Sequence, residues 1–72
     1  MITWQPFKGE ANAIEGFVAG YGLYVICWDD KATHLQGATM KKMSTVCKDV
    51  DAAKAMAEDN ALQFTKAIKE AV

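Results

Sequence analysis

Leu23-Tyr24-Val25-Ile26-Cys27-Trp28 is the stretch that decides the fold. It is β-branched and aromatic, and it is apolar at both odd and even positions. A run of this kind predicts a central strand, covered on both faces or nearly so. Gly20-Tyr21-Gly22 before it and Asp29-Asp30-Lys31 after it predict the turns that lead in and out.

Upstream, Ile2-Thr3-Trp4 alternates apolar and polar and then meets Pro6 and Gly9. Proline has no amide hydrogen for a ladder, so this segment predicts a short edge strand that stops there. Residues Ala11 to Ala19 predict a second strand, with Ile14 and Val18 on one face and Ala11, Ala13 and Phe17 on the other. Gly16 weakens or bulges it, and a short helical turn over Glu10 to Glu15 is the competing reading. Downstream, Thr33 to Gln36 and then a stretch from Ala38 or Thr39 to Cys47 supply further strand material, separated by Gly37 as a bulge or a turn. Within the latter stretch, Ser44, Thr45, Val46 and Cys47 favour extended backbone.

A helix follows. Asp49 is placed as its N-cap and Asp51 puts a negative charge in its first turn. Val50, Ala53, Met56, Ala57, Ala61, Phe64, Ala67, Ile68 and Ala71 recur at helical spacing, with Asp51, Glu58, Asp59, Lys66 and Lys69 opposite. Asn60 falls in the middle of the apolar stripe and Leu62 faces away from it. Either the helix bends or caps near Asn60, or its second half projects past the sheet. The expected fold is therefore α+β: one domain over residues 1–72, with a three- to five-stranded antiparallel sheet packed against one C-terminal amphipathic helix.

A chain of 72 residues buries only about 60% of the surface it exposes when unfolded, so its core is thin and a second copy would add to it. With 51% hydrophobic and 24% charged residues the composition is that of a globular protein. All eight cationic residues are lysine and the formal net charge is −1. Arginine is the usual bidentate reader of guanine and phosphate, so sequence-specific nucleic-acid binding is disfavoured. Non-specific binding through lysines and exposed aromatics stays open as the alternative. MITWQPFKGE has none of the marks of a secretion signal, and Phe17 to Trp28 is too short to cross a bilayer. Two cysteines in apolar stretches fit reduced thiols, and the expected setting is the cytoplasm, away from membranes.

No catalytic constellation emerges. Cys27, Cys47 and His34 are the only soft ligands, and they lie too far apart in sequence for a zinc motif. Free cysteine commonly packs as a small hydrophobe, and Ile26 and Trp28 give Cys27 an apolar setting that disfavours a thiolate. His34 lacks the sequence neighbours of a general base. Asp29-Asp30 reads as a solvated turn, and the glycines lack the strand–loop–helix context of a phosphate cradle. Most of the aromatics read as core, with no cofactor, no metal and no enzyme activity expected. Met40 and Met43 flank Lys41-Lys42 in what reads as an adaptable protein-binding patch.

A short strand ending in Trp4, a tyrosine-rich central strand from Tyr21 to Ile26 and the run Asp49-Val50-Asp51-Ala52-Ala53-Lys54-Ala55-Met56-Ala57-Glu58 together resemble small accessory proteins of bacteriophages and prophages. In those, a three- or four-stranded antiparallel sheet packs against one helix. The resemblance implies a non-enzymatic role: binding a host protein and blocking or redirecting it, including components of bacterial defence such as CRISPR systems. It implies no catalytic residues. The expected partner is thus a host protein, with a homodimer as a further association. The expected contact residues are Tyr21, Asp29, Asp30, Met40, Lys41, Lys42, Met43 and Leu62.

Overall fold

The computed structural model describes residues 2–37 and 44–71, with side chains along the final helix as far as Gln63. Five strands, β1 (Thr3–Pro6), β2 (Ala13–Val18), β3 (Tyr21–Trp28), β4 (Thr33–Gly37) and β5 (Thr45–Cys47), precede one helix, α1 (Val50–Ala71). The strands pair antiparallel in the order β1-β2-β3-β4-β5, a meander in which each strand lies beside its sequence neighbour. The α+β expectation holds, with β3 in the centre and β1 at the edge where Pro6 places it.

Within residues 10–19, Ala13–Val18 is strand rather than helix, but it starts later than its pattern suggests. Ala11 and Asn12 belong to the preceding loop, which closes through Phe7 N–H to the Ala13 carbonyl and Glu10 N–H to the Phe7 carbonyl, each 3.0 Å. The turn into β3 is also displaced from the expected Gly20-Tyr21-Gly22. Val18 pairs with Tyr21, leaving Ala19 and Gly20 as a two-residue loop with φ of 51° and 85°. Two consecutive positive φ values match the right-handed twist of the flanking strands. Gly20 adopts this backbone freely, whereas Ala19 is strained by its Cβ. Beyond the turn the register shifts, with Gly16 opposite Tyr24 and Phe17 opposite Gly22, so that Leu23 is the extra residue of a bulge in β3.

Side chains alternate across the sheet, and α1 covers one face. Toward it point Tyr24, Ile26 and Leu35, the largest fully buried side chains, which meet Ala53, Ala57 and Ala61 of the helix. The small alanine side chains let the helix lie close to the sheet. Ile2 is buried with them, and Trp4, Ile14, Val18, Leu23, Trp28, Cys47 and Val50 pack against the cluster. Gly16 makes room for this packing: a Cβ there would lie 2.6 Å from the Trp4 ring and 2.8 Å from Ile2. Met56, expected in the buried stripe, is 41% exposed. The side chains of Phe64, Ala67, Ile68 and Ala71 lie outside the described residues.

The helix starts where its cap predicts, with Ala52 N–H donating to Asp49 Oδ1 at 2.7 Å, and it runs unbroken through Asn60. Asn60 occupies the stripe because the Tyr24 hydroxyl donates to its Oδ1 at 2.6 Å. That bond gives the phenol of the central strand an acceptor where the core would otherwise strand it. Glu58, expected on the solvent side, is half-buried and its Oε1 accepts from Ile2 N–H at 3.2 Å, tying the start of the sheet to the helix.

Candidate functional site

The face of the sheet away from α1 is covered by no helix or further strand among the described residues. Its side chains follow from the register. Ala13, Cys27, His34 and Val46 form one row across β2 to β5, and Gln5, Glu15, Val25 and Gln36 form the next across β1 to β4. Phe17 continues this face towards Gly22, where a Cβ would collide with the Glu15 carboxylate. Phe17, Val25, Cys27 and His34 are half-buried and Val46 is 65% exposed. Among the described residues the central strand is thus fully covered on its helix face and half-covered on the other, where its apolar run predicts cover on both faces or nearly so. Val25 and Cys27 are the half-covered positions.

The loop between β1 and β2 folds over one side of this face and walls an open groove of about 570 Å³. Phe7, Ala13, Val25 and Cys27 supply its apolar lining, while Glu10, Asn12 and Gln36 bring polar groups to it. Trp28 N–H donates to the Asn12 carbonyl at 3.0 Å, which extends the β2–β3 ladder beneath the loop and fixes the groove wall. Gly9, at φ 86°, lets the loop reverse direction.

The residues expected from sequence to contact a partner do not converge on the groove. Tyr21, 72% exposed, and Asp29 stand at opposite ends of the eight-residue β3, roughly 25 Å apart at the usual strand rise. Leu62, 62% exposed, lies on the helix, on the other side of the sheet. Met40, Lys41, Lys42 and Met43 lie outside the described residues. Asp29 acts locally, its Oδ1 accepting from the amides of Lys31 and Ala32, both at 2.8 Å, and so closing the β3–β4 turn. The Ala32 and then the Lys31 amide hold its carboxyl below the usual value, and the positive potential of nearby His34 acts in the same direction. Asp30 is exposed beside it.

The register also brings together two residues that looked unrelated in sequence. Cys27 and His34 are direct cross-strand partners on the open face, whereas Cys47 packs towards the helix. Among the described residues, no third histidine, cysteine or carboxylate joins them in a metal-binding group, and no helix is long and apolar enough to span a membrane.

These features define a class: a five-stranded antiparallel meander with one helix on one face, and with an apolar, grooved face left open. In comparison with known proteins, no family model, curated protein or solved structure matches the chain.

Proposed function

We propose that the chain is a non-enzymatic protein-binding domain that engages a host protein through the open face of its sheet. One observation carries this reading: among the described residues the helix packs on one side of the sheet, and the other side presents Phe7, Val25 and Cys27 in a groove, with Phe17 and Val46 elsewhere on the same face. A contiguous apolar surface rimmed by polar groups favours a protein partner, because covering it removes apolar area from water. The charge pattern separates this from the nucleic-acid alternative. The described strand positions of the open face carry Glu15 and no lysine, an arrangement that repels phosphate rather than gathering it. The resemblance to phage accessory proteins supports a bacterial host protein as the partner.

The test compares the tagged wild-type chain with Val46→Lys, on the open face, and Met56→Lys, on the outer surface of the helix. Both positions are exposed, so both variants should fold. The expected result is one host protein, resistant to nuclease, that is captured by wild type and by Met56→Lys, lost with Val46→Lys, and rebound as a purified protein. Capture that survives Val46→Lys, or disappears after nuclease treatment, would overturn the reading.

A further inference from the structure

We propose that Cys27 and His34 form a two-donor site for a soft d10 metal ion, fitted to Cu(I), beside the groove on the open face. The two residues are opposite one another in the β3–β4 register, which puts their Cβ atoms about 5 Å apart on the same side of the sheet. Thiolate and imidazole each bind d10 metals at about 2.0–2.3 Å, so a bound ion separates sulfur and nitrogen by about 4 Å. Side-chain rotation covers that difference without moving either strand. The strands themselves are held by neighbouring pairs, Trp28 with Thr33 and Ile26 with Leu35, and Leu35 is fully buried. The backbone of the pair is thus fixed before any ion arrives.

The donor set selects the ion. A thiolate and an imidazole favour soft or borderline metals over calcium or magnesium, which prefer several oxygen ligands. With no third donor grouped with the pair among the described residues, an ion content with two ligands fits better than Zn(II), which needs four. The setting helps as well. Ala13 flanks Cys27 on one side and Val46 flanks His34 on the other, and neither carries a donor that would compete for the ion. Binding balances simply: the ion takes the sulfur lone pair in place of the thiol proton, which passes to solvent, and the imidazole binds through a neutral nitrogen. No electron is transferred. The site needs no protein partner, so it stands or falls independently of the host-protein reading.

The experiment titrates the reduced, metal-free full chain with Cu(I) under anaerobic conditions, against a chromogenic Cu(I) chelator as competitor. Wild type, Cys27→Ser, His34→Ala and Cys47→Ser are compared, with oligomeric state followed by sedimentation and the His34 ring followed by NMR. The expected result is one Cu(I) per monomer in wild type and Cys47→Ser, loss of competitive binding in Cys27→Ser, weakened binding in His34→Ala, and perturbed His34 ring signals on loading. Circular dichroism of the variants checks that they fold. Absence of competitive binding, equal loss in Cys47→Ser and Cys27→Ser, or His34 signals unmoved by loading would overturn the site. A parallel Zn(II) titration giving tighter uptake, one ion per two chains through the same residues, would overturn the assignment to Cu(I).

Discussion

The two faces of the sheet are built from the same strands, yet they serve opposite ends. On the helix side, Tyr24, Ile26 and Leu35 are almost wholly buried against Ala53, Ala57 and Ala61, and a polar atom that enters, the Tyr24 hydroxyl, is bonded to Asn60. On the open side Phe17, Val25, Cys27 and His34 are half-buried and Val46 mostly exposed. Alternate positions of one strand thus divide between holding the fold and meeting the outside. The comparison teaches that the apolar residues on the two parities of β3 meet two different environments, a packed core and a groove.

The sharpest way to break that division is to truncate one side chain from each face. Leu35→Ala removes a fully buried side chain and should cost about 2–5 kcal/mol, through lost transfer energy and the cavity left behind. In a domain this small, that consumes much or all of the stability. Val46→Ala, one strand away on the open face and 65% exposed, should stay within about 0.5 kcal/mol of wild type. Urea denaturation followed by tryptophan fluorescence measures both. Similar losses for the two would mean that the open face is covered in the free protein, and the functional contrast between faces would collapse.

A smaller effect probes the packing beneath Trp4. Adding a methyl group at Gly16 drives it against the indole and Ile2, and overpacking of this kind costs about 1–3 kcal/mol. Gly16→Ala should therefore lower the denaturation midpoint while leaving the groove side of the sheet unaltered, because the clash is confined to the helix side. Binding through the open face should persist at temperatures where the variant remains folded. Loss of binding by a folded Gly16→Ala protein would show that the two faces are mechanically coupled.

How much of this was legible in the sequence depends on the range of the interaction involved. Asp49 as a cap, the alanine stripe and the strand alternation around Ile14 and Val18 are local patterns, and each could be read from residues within a few positions. The role of Asn60 was not, since its partner Tyr24 is 36 positions away and nothing near Asn60 announces it. Glu58 was misplaced for the same reason, its partner being Ile2 at the far end of the chain. The Cys27–His34 pairing was partly recoverable: once Asp29 to Ala32 is recognised as the loop and Trp28 is set opposite Thr33, Cys27 must face His34. The open face itself was hidden because Val25 and Cys27 are apolar whether they face a core or a partner.

The smallest expected effect lies at the rim between the faces, in the turn that fixes this register. Asp29 accepts two backbone amides with its carboxylate, and these bonds exist in full only while it is ionised. Its folded-state pKa is depressed, so the unfolded chain takes up this proton first as pH falls. The stabilising contribution is therefore complete above the ordinary value of 3.8 and is lost as pH drops through the lower folded value. Full solvent exposure keeps that contribution modest. An NMR titration of the side-chain carboxyl carbon should give an Asp29 midpoint below 3.8, and Asp29→Ala should make stability less steeply dependent on pH across that acid window. A midpoint at or above the ordinary value would mean that the turn bonds do not persist in solution. The register that sets Cys27 opposite His34 would then rest on the flanking strand pairs alone, and the open face would be looser at that end than at the groove.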